Sequence, residues 1–243
     1  MRAPDAAFAD PRLAVLYDVF DDDRSDLDAY AAIVDELEAR KVVDVGCGTG
    51  CLAVLLAARG IQVLGVDPAI ASLQVARSKP YAGSVTWIEG DATALAGRTS
   101  NADLAVMTGN VAQVFVDDAD WGRTLGAIHD ALRDEGWLVF ETRRPEVRAW
   151  EEWDVPETER IHPDGKRSVV SRTVTEVALP LVTFESVTEM EDATLKSAST
   201  LRFRSRDEIE ADLRRHGFEV VEVRDAPDRP GKEWVFLARA TAE

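Results

Sequence analysis

The strongest constraint on the fold is a glycine-rich turn between a β-branched run and an apolar segment. Residues 42–50 read VVDVGCGTG, and residues 51–59 continue with helical apolar spacing. Strand, glycine-rich turn and helix in this order are the context that a dinucleotide-binding fingerprint requires. The glycines allow a sharp turn and a close approach of a ligand to the backbone, and the helix start presents free N–H groups to an anion. The stretch predicts an α/β fold with a ligand at this turn.

The glycine spacing and the preceding acidic residue argue against a nicotinamide cofactor. Gly46, Gly48 and Gly50 alternate, and Cys51 occupies the place of the third glycine of GxGxxG. Asp44 stands near the end of the predicted strand, where its carboxylate would repel a pyrophosphate and could hold an ammonium group. On this motif alone, an ordinary strand–helix turn remains an alternative.

Acidic residues end the next two predicted strands as well. Asp67 lies 21 residues after Gly46 (67 − 46), close to the offset of about 20 at which an acidic side chain binds ribose hydroxyls. Because Pro68 follows, Asp67 could also cap a helix, and one residue can serve both purposes. Asp91 follows the third strand, where simple turn chemistry is the alternative. Carboxylates at three successive strand ends favour a nucleoside-containing ligand.

With these motifs, residues 13–142 resemble the class I S-adenosylmethionine (SAM) dependent methyltransferases of small molecules. The resemblance implies that the glycine loop binds the methionine half of SAM, that Asp67 binds the ribose and that Asp91 and Ala92 bind the adenine. It also implies that Tyr17 approaches the cofactor from an N-terminal helix, although core packing is an alternative for this residue. The predicted cofactor residues are Tyr17, Asp44, Gly46, Cys47, Gly48, Thr49, Gly50, Asp67, Pro68, Asp91, Ala92, Thr108 and Gly109.

The resemblance places the methyl acceptor beside the segment after strand four. This segment begins Thr-Gly-Asn-Val, where nucleic-acid and protein amide methyltransferases often carry Asn/Asp-Pro-Pro-aromatic, so a base or glutamine amide is not the expected acceptor. The substrate-side candidates are Asn110, Gln113, Arg143 and Trp150. Each has a plainer alternative: the first two as polar loop residues, Arg143 as a surface arginine and Trp150 as an anchor of the neighbouring segment.

No catalytic residue can be assigned from the sequence. The three histidines fall beside a helix stripe, at a hairpin tip and at a helix end, and none is an evident general base. An amine that binds unprotonated needs no base, whereas a hydroxyl or amide does, so an amine or an acidic hydroxyl is favoured as the nucleophile of an SN2 transfer that leaves S-adenosylhomocysteine. Cys47 and Cys51 lack a second Cys/His cluster, so no metal site is predicted.

The net charge of −17 over 243 residues bears on the partner. Nucleic-acid binders and proteins of anionic membrane surfaces generally carry basic patches, so neither partner is expected, and no apolar run approaches a membrane span. A small molecule is the expected partner, although solubility explains the acidity equally well. The N-terminus shows no secretory signal, and the two cysteines suit a reducing compartment, so a cytoplasmic location is expected.

The expected architecture is a Rossmann-like seven-stranded sheet of order 3-2-1-4-5-7-6, flanked by helices and carrying an inserted antiparallel β cover. Residues 1–142 and 206–243 are expected to form the SAM-binding domain, and residues 143–205 the insertion, which covers the substrate or forms a dimer sheet. The chain is accordingly a monomer or a homodimer. Residues 1–10 are expected to be a loose arm, and Ser25 is expected to begin the second helix in a capping box with Asp28.

Two other functions remain open on the sequence. A catalytically silent, SAM-binding regulatory protein would keep the three strand-end carboxylates and block the methyl side. An aminopropyltransferase-like enzyme uses decarboxylated SAM on the same fold, but its usual acidic residues after strand four are replaced by Thr108, Gly109 and Asn110. A nicotinamide oxidoreductase is the weakest alternative, because the glycine spacing and Asp44 both oppose it.

Overall fold

The computed structural model describes residues 2–20, 24, 26–96, 101–162 and 165–242. Its helices, in chain order, are α1 Ala6–Ala9, α2 Pro11–Phe20, α3 Asp26–Glu36, α4 Cys51–Ala58, α5 Ile70–Ser78, α6 Asp118–Ala131 and α7 Arg206–Arg215. Its strands are β1 Lys41–Val45, β2 Gln62–Asp67, β3 Val85–Glu89, β4 Ala102–Met107, β5 Leu132–Arg143, β6 Val155–Ile161, β7 Arg167–Ala178, β8 Leu181–Glu189, β9 Thr194–Arg202, β10 Phe218–Asp225 and β11 Glu233–Ala240.

Seven strands form the main sheet in the order β3-β2-β1-β4-β5-β11-β10. The first five run parallel, and β11 is antiparallel to both β5 and β10. Counted within this sheet, the order is 3-2-1-4-5-7-6, which confirms the predicted topology. The strand order reverses between β1 and β4, and ligands of open α/β sheets bind at such a point, outside the carboxyl ends of the strands.

The β-branched run of β1 is buried on both faces because helices cover both sides of the sheet. Val42 packs in a core cluster with α3 and α4, whereas its neighbour Val43 packs in a second cluster with α6 and α7. This alternation follows from the two-residue period of a strand. It fixes the end of β1, and therefore Asp44 and the glycine turn, between two rigid layers.

A second, four-stranded antiparallel sheet has the order β6-β7-β8-β9. The alternating apolar pattern of the sequence predicts strands at residues 168–177, 181–190 and 194–204, and β7, β8 and β9 match these bounds to within two residues. Strand β6 was not predicted, because its sequence VPETERI contains a proline and several charges. An edge strand tolerates both, since one side of it needs no ladder bonds.

Other boundaries differ from the sequence prediction for local reasons. The apolar spacing predicts a helix that begins at Asp120. Helix α6 begins two residues earlier, at Asp118, because the side chain of Asp117 accepts hydrogen bonds from the N–H groups of Ala119 and Asp120. The spacing of Ser205 and Glu208 predicts a capping box at the start of the last helix, and the structure confirms it in both directions. Ser25 and the acidic residues 21–23 lie outside the described residues. Within the described chain, no helix is long and apolar enough to cross a membrane.

The N-terminal residues are not a loose arm, contrary to the sequence prediction. Ala6–Ala9 forms a short helix, and the N–H of Ala7 donates to Ser197 Oγ on β9 at 2.8 Å. Ser199 Oγ, two residues along the same strand, donates to Asp5 at 2.6 Å. The serines that hold this arm are far away in the sequence, so its local composition could not reveal the contact.

Candidate active site

One cavity opens at the carboxyl ends of the central strands. Its walls come from the ends of β1 and β2, from the loops after β3 and β4, from the N-terminal arm and from α2. The cavity encloses about 1370 Å³, a volume that includes its open mouth. It lies where the strand order reverses, as expected for a ligand site in an open α/β sheet.

The glycine turn forms the floor of this cavity. The N–H groups of Gly46 and Cys47 donate to the carbonyl of Val66 at 2.8 and 3.2 Å, which brings the turn against the end of β2. Gly46 has φ 72°, and a Cβ there would lie 2.7 Å from Val111, so this position needs glycine for both conformation and space. Gly48, with φ 53°, lines the cavity, and a Cβ on it would meet no atom within 4 Å. The turn therefore presents bare backbone to a ligand.

Asp44 is the buried charge at the centre of the floor. The residue is 1% exposed, and its Oδ1 has no hydrogen-bond partner in the described part of the chain. Burial, with a smaller contribution from the charge of Asp67, raises the pKa of Asp44 from 3.8 to about 7. A buried carboxylate oxygen without a partner is costly, and a cationic group of a ligand would compensate it.

Asp67 supports the turn and faces the same cavity. Its Oδ2 accepts the N–H of Gly48 at 2.8 Å, and its Oδ1 accepts the N–H of Ala69 at 2.7 Å. Burial raises the pKa of Asp67, although these two bonds counteract it. The residue that precedes α5 is Ala69, so Asp67 makes an Asx-type turn rather than the helix cap considered from the sequence. A carboxylate has about four acceptor sites, so two remain for ligand hydroxyls.

The loop after β3 contributes Gly90, Asp91 and Ala92 to the wall. Asp91 Oδ1 accepts hydrogen bonds from the N–H of Thr93, at 2.9 Å, and from its hydroxyl. The turn chemistry considered as an alternative is thus present, and the carboxylate nevertheless borders the cavity. Pro68, predicted to contact the cofactor, also lines it.

Helix α2 is fastened to the glycine turn by a polar cluster. Thr49 Oγ1 donates to Asp18 at 2.5 Å, and Lys79 Nζ forms an ion pair with Asp18 at 2.6 Å. Burial acts to raise the pKa of Asp18, but the bonds from Lys79 and Thr49 outweigh it and lower the pKa. The adjacent Tyr17 lines the cavity with its ring 5.5 Å from that of Phe8.

The predicted cofactor residues converge on this cavity with one exception. Twelve of the thirteen line it: Tyr17, Asp44, Gly46, Cys47, Gly48, Thr49, Asp67, Pro68, Asp91, Ala92, Thr108 and Gly109. Gly50 is the exception, because it begins α4 at φ 76° and faces Trp87, whose ring would lie 2.6 Å from a Cβ at this position. Its role in the structure is close packing of the turn against β3.

The four substrate-side candidates lie behind the cavity wall instead of lining it. Asn110 donates from Nδ2 to Glu233 at 3.2 Å, and Gln113 Oε1 accepts from Arg143 at 2.9 Å. Arg143 also lies 5.3 Å from the ring of Trp153. These polar groups bond to one another behind the wall, and Asn110 and Gln113 are buried. Asn110 Oδ1 nevertheless has no partner in the described part of the chain.

Trp150, the fourth of these candidates, belongs to a small core of the second sheet. Its ring meets that of Phe203 edge-on at 4.7 Å, and Val182 completes the cluster. This is the anchoring role that the sequence left as an alternative. Among the described residues, no histidine lines the cavity: His129, His162 and His216 contact Phe218, Ser168 and the carbonyl of Asp212.

Several cavity residues were missed from the sequence. They are Arg2, Ala3, Pro4, Asp5 and Phe8 of the arm, Val114, Phe115 and Val116 after β4, Asp120 of α6 and Thr200 of β9. The apolar residues after β4 stand in the predicted acceptor segment and could have been selected for that reason. The arm and Thr200 carry no local signal, because only the packing of the arm on β9 brings them to the cavity.

Comparisons with known proteins agree with this architecture. Residues 42–136 match the model of a family described as a methyltransferase domain. A protein of Geobacillus sp. (strain WCH70), named provisionally as a methyltransferase, is 33% identical over 105 residues, 42% of each chain. The ubiquinone biosynthesis O-methyltransferase of Alkalilimnicola ehrlichii (strain ATCC BAA-1101 / DSM 17681 / MLHE-1) is 51% identical over 51 residues, 21% of each chain. These matches span less than half the length of either relative.

A solved structure extends the likeness of the fold to nearly the whole chain. The sugar N-methyltransferase of Streptoalloteichus sp ATCC 53650 superposes with a TM-score of 0.76 over 93% of both chains, at 18% identity. The second sheet is therefore included in the shared fold. Residues 42–136, which contain the glycine turn and strands β1 to β4, thus match a methyltransferase domain, and the chain as a whole shares its fold with this solved structure.

Proposed function

We propose that this protein transfers the methyl group of SAM to a nitrogen or oxygen nucleophile of a small molecule. The observation that carries the proposal is Asp44, a buried carboxylate with an unpartnered oxygen at the floor of a cavity built from the glycine turn. SAM carries an α-ammonium group, and a cation of this kind matches what Asp44 lacks. A nicotinamide cofactor would instead bring a pyrophosphate against this charge.

The other walls suit the rest of SAM. We assign the ribose hydroxyls to the free acceptor sites of Asp67, and the adenine to Asp91 and the N–H of Ala92. The bare backbone at Gly48 would admit the methionine part, and Thr108 and Gly109 would hold the cofactor from the wall after β4. Gly50 is assigned to packing and is not included among these contacts.

Bound SAM supplies a methyl group on a sulfonium, which a nucleophile displaces with release of S-adenosylhomocysteine. The chain contributes a rigid cavity at the sheet edge that holds the reactants in line, and alignment of this kind accounts for up to ~7–11 kcal/mol of a barrier in favourable systems. The wall after β4 is apolar, with Val111, Val114 and Phe115, and it keeps water from the reacting groups.

We favour an amine over a hydroxyl as the acceptor. A hydroxyl needs a general base. The described cavity-lining residues include no histidine, and the two lining carboxylates not assigned to SAM, Asp5 and Asp120, are paired with Arg2 and Arg123. The named relatives include a sugar N-methyltransferase and a ubiquinone biosynthesis O-methyltransferase, so both acceptor types occur among proteins similar to this one. The division into residues 1–142 with 206–243 and an inserted 143–205 also remains a proposal, as does a monomeric or homodimeric state.

The test is isothermal titration with SAM, S-adenosylhomocysteine and NAD, each added separately to the wild-type protein and to three variants. We expect the wild type to bind the first two and not NAD. Asp44→Asn and Asp67→Ala are expected to weaken SAM binding at least tenfold, since each removes a charged partner in a buried site. Asp130→Asn, an exposed position on α6, is the matched control and should bind as the wild type does.

Binding of NAD without SAM would refute the proposal. If SAM binds as expected, incubation with panels of small amines and phenols then follows S-adenosylhomocysteine release. Tight binding of SAM with no release across both panels would favour the catalytically silent alternative.

A further inference from the structure

The cavity wall formed by Thr108 and Gly109 has an unusual backbone. Gly109 has φ 73° and Asn110 has φ 61°, so two successive residues are left-handed. This conformation is unfavourable for a residue with a side chain and persists only where the surroundings enforce it.

Glu141 on β5 provides the enforcing contact. Its Oε1 accepts the N–H of Gly109 at 2.7 Å and the N–H of Asn110 at 3.0 Å. Two successive backbone N–H groups thus converge on a single carboxylate oxygen, an arrangement that binds anions well. Glu141 is 6% exposed and is not part of the cavity lining, so it acts on the wall from behind.

Tyr30 on α3 holds the other oxygen of the same carboxylate. Its hydroxyl donates to Glu141 Oε2, and the ring is packed in the core cluster that joins α3 to the sheet. Burial and the neighbouring charge of Glu141 raise the pKa of Tyr30, so the hydroxyl keeps its proton and remains a donor. The carboxylate is therefore fixed at both oxygens, and its rotation is blocked.

We propose that Glu141 and Tyr30 are positioning residues that set the cavity wall at Thr108 and Gly109 in its ligand-binding conformation. The inference rests on the proposed function, because SAM is the ligand whose binding reports the position of this wall. Neither residue touches the ligand. Their effect passes through the two N–H groups of the wall.

Three substitutions separate the hydrogen-bonding role proposed for Glu141 from an electrostatic role of its negative charge. In Glu141→Gln, Oε1 can still accept both N–H groups, and the new Nε2 can donate to the oxygen of Tyr30. The contacts that hold the wall therefore survive without the negative charge. In Glu141→Ala, both N–H groups and the tyrosine hydroxyl lose their partner. In Tyr30→Phe, the wall bonds remain, but the carboxylate is free to rotate.

The experiment combines SAM titration with hydrogen exchange at residues 106–112, followed by mass spectrometry. We expect the SAM dissociation constant to rise about tenfold in Glu141→Ala and about threefold in Tyr30→Phe. These magnitudes correspond to the usual cost of losing a buried hydrogen-bond partner. Exchange at the wall should accelerate in both variants. Glu141→Gln should stay within about twofold of the wild type in both measurements. If the negative charge of Glu141 were what mattered, this variant would instead lose affinity as Glu141→Ala does.

Tyr81→Phe is the matched control, because Tyr81 is 61% exposed and does not line the cavity; it should change neither measurement. Wild-type affinity and exchange in Tyr30→Phe and Glu141→Ala would overturn the proposal, as would equal losses in Glu141→Gln and Glu141→Ala. Tyr30→Phe conserves volume, so it decides the matter if Glu141→Ala does not fold. If the wild-type protein binds no SAM, the proposed function fails. The positioning role of Glu141 and Tyr30 is then tested by the exchange rates of the variants alone.

Discussion

Among single residues, Asp44 shows the conflict between stability and ligand binding most clearly. The fold buries its carboxylate to 1% exposure and leaves one oxygen unpartnered. A residue chosen for stability at this position would be apolar, as its neighbours Val43 and Val45 are. The sequence already indicated this exception, because an acidic residue interrupts a β-branched run. Local violations of this kind are expected at functional sites.

The raised pKa of Asp44 makes the stability of the free protein depend on pH. The folded-state pKa of about 7 exceeds the ordinary value of 3.8, so the contribution of this group is fully present below about pH 4 and is lost as the pH rises through 7. At 1.36 kcal/mol per pKa unit, the loss is at most about 4 kcal/mol. Asp67 and Glu141, whose pKa values are also raised, act in the same direction.

We therefore expect Asp44→Asn to stabilise the free protein at pH 8 and to change it little at pH 4.5. Urea unfolding at several pH values measures this, with the free energy of unfolding compared between wild type and variant at each pH. The wild-type curve should fall more steeply with rising pH than the variant curve. Parallel curves would show that Asp44 does not titrate in this range.

Gly46 and Gly48 are expected to respond differently to alanine, although both are left-handed. In Gly46→Ala the new Cβ would meet Val111 at 2.7 Å, so we expect a loss of stability of about 2 kcal/mol or more from strain and overpacking. In Gly48→Ala the Cβ meets nothing within 4 Å, so only the backbone cost of about 1 kcal/mol applies. The same Cβ stands at the cavity, however, and SAM affinity should fall.

Thermal unfolding and SAM titration of both variants separate these effects. A Gly48→Ala protein that unfolds near the wild-type temperature and binds SAM at least tenfold more weakly would agree with a backbone cradle at this position. Unchanged affinity in this variant would contradict it.

At the scale of elements, the sequence predicts what depends on local pattern. The seven strands of the main sheet and the helix at residues 70–78 follow from hydrophobic periodicity and from glycine and proline at the ends. Strand β6 was missed because its proline and charges obscure the strand pattern, and the short helix α1 was missed because β9, which holds it, is distant in the chain. The same reason explains Asn110 and Gln113: their polarity suggested a ligand, whereas their partners Glu233 and Arg143 lie in other elements.

A double-mutant cycle tests the polar cluster of Asp18, Thr49 and Lys79 that joins α2 to the glycine turn. Asp18 and Lys79 are partly buried and 2.6 Å apart, so we expect a coupling energy of about 1 kcal/mol between Asp18→Asn and Lys79→Met, at the upper end for such pairs. Asp18→Ala should also weaken SAM binding about threefold, because this change removes the acceptor of the Thr49 hydroxyl. The lowered pKa of Asp18 means that this contribution is present above the ordinary carboxyl pKa and is lost as the pH falls through the folded value.

The control is the exposed pair of Asp35 and Arg59 on α3 and after α4. The cycle of Asp35→Asn and Arg59→Met should give a coupling energy near zero, since exposed pairs contribute little. An equal coupling in both cycles would show that the cluster at α2 has no special role.

For the whole molecule, the cavity is closed by parts of the chain that lie far apart in sequence. The floor comes from β1 and β2, one wall from the segment after β4, and the roof from the N-terminal arm, which rests on β9 of the second sheet. The end of the second sheet also reaches the wall from behind, since Arg202 of β9 donates to the carbonyl of Val116 at 3.1 Å. Arg204, just after β9, donates to the carbonyls of Ala112 and Phe115. The second sheet is thus part of the cavity structure and not an appendage to it.

This arrangement predicts that the contacts of the arm on β9 control ligand exchange. Ser197 and Ser199 are buried and hold the arm at Ala7 and Asp5, so Ser197→Ala with Ser199→Ala removes both contacts while changing little volume. We expect SAM to dissociate about tenfold faster from the double variant. Two hydrogen bonds that contribute about 1 kcal/mol each set an upper limit of a ~30-fold change in this rate. Surface plasmon resonance measures the dissociation rate.

A specific effect of the arm requires that the second sheet itself stay intact. Ser171→Ala, on β7 and two strands away from the arm, is the matched control and should leave the dissociation rate unchanged. Deletion of residues 2–8 should accelerate dissociation at least as much as the double variant, because it removes the whole roof. If the double variant releases SAM at the wild-type rate while the deletion accelerates it, the arm closes the cavity through its apolar contacts, such as Phe8 with Tyr17, and the serines only orient it.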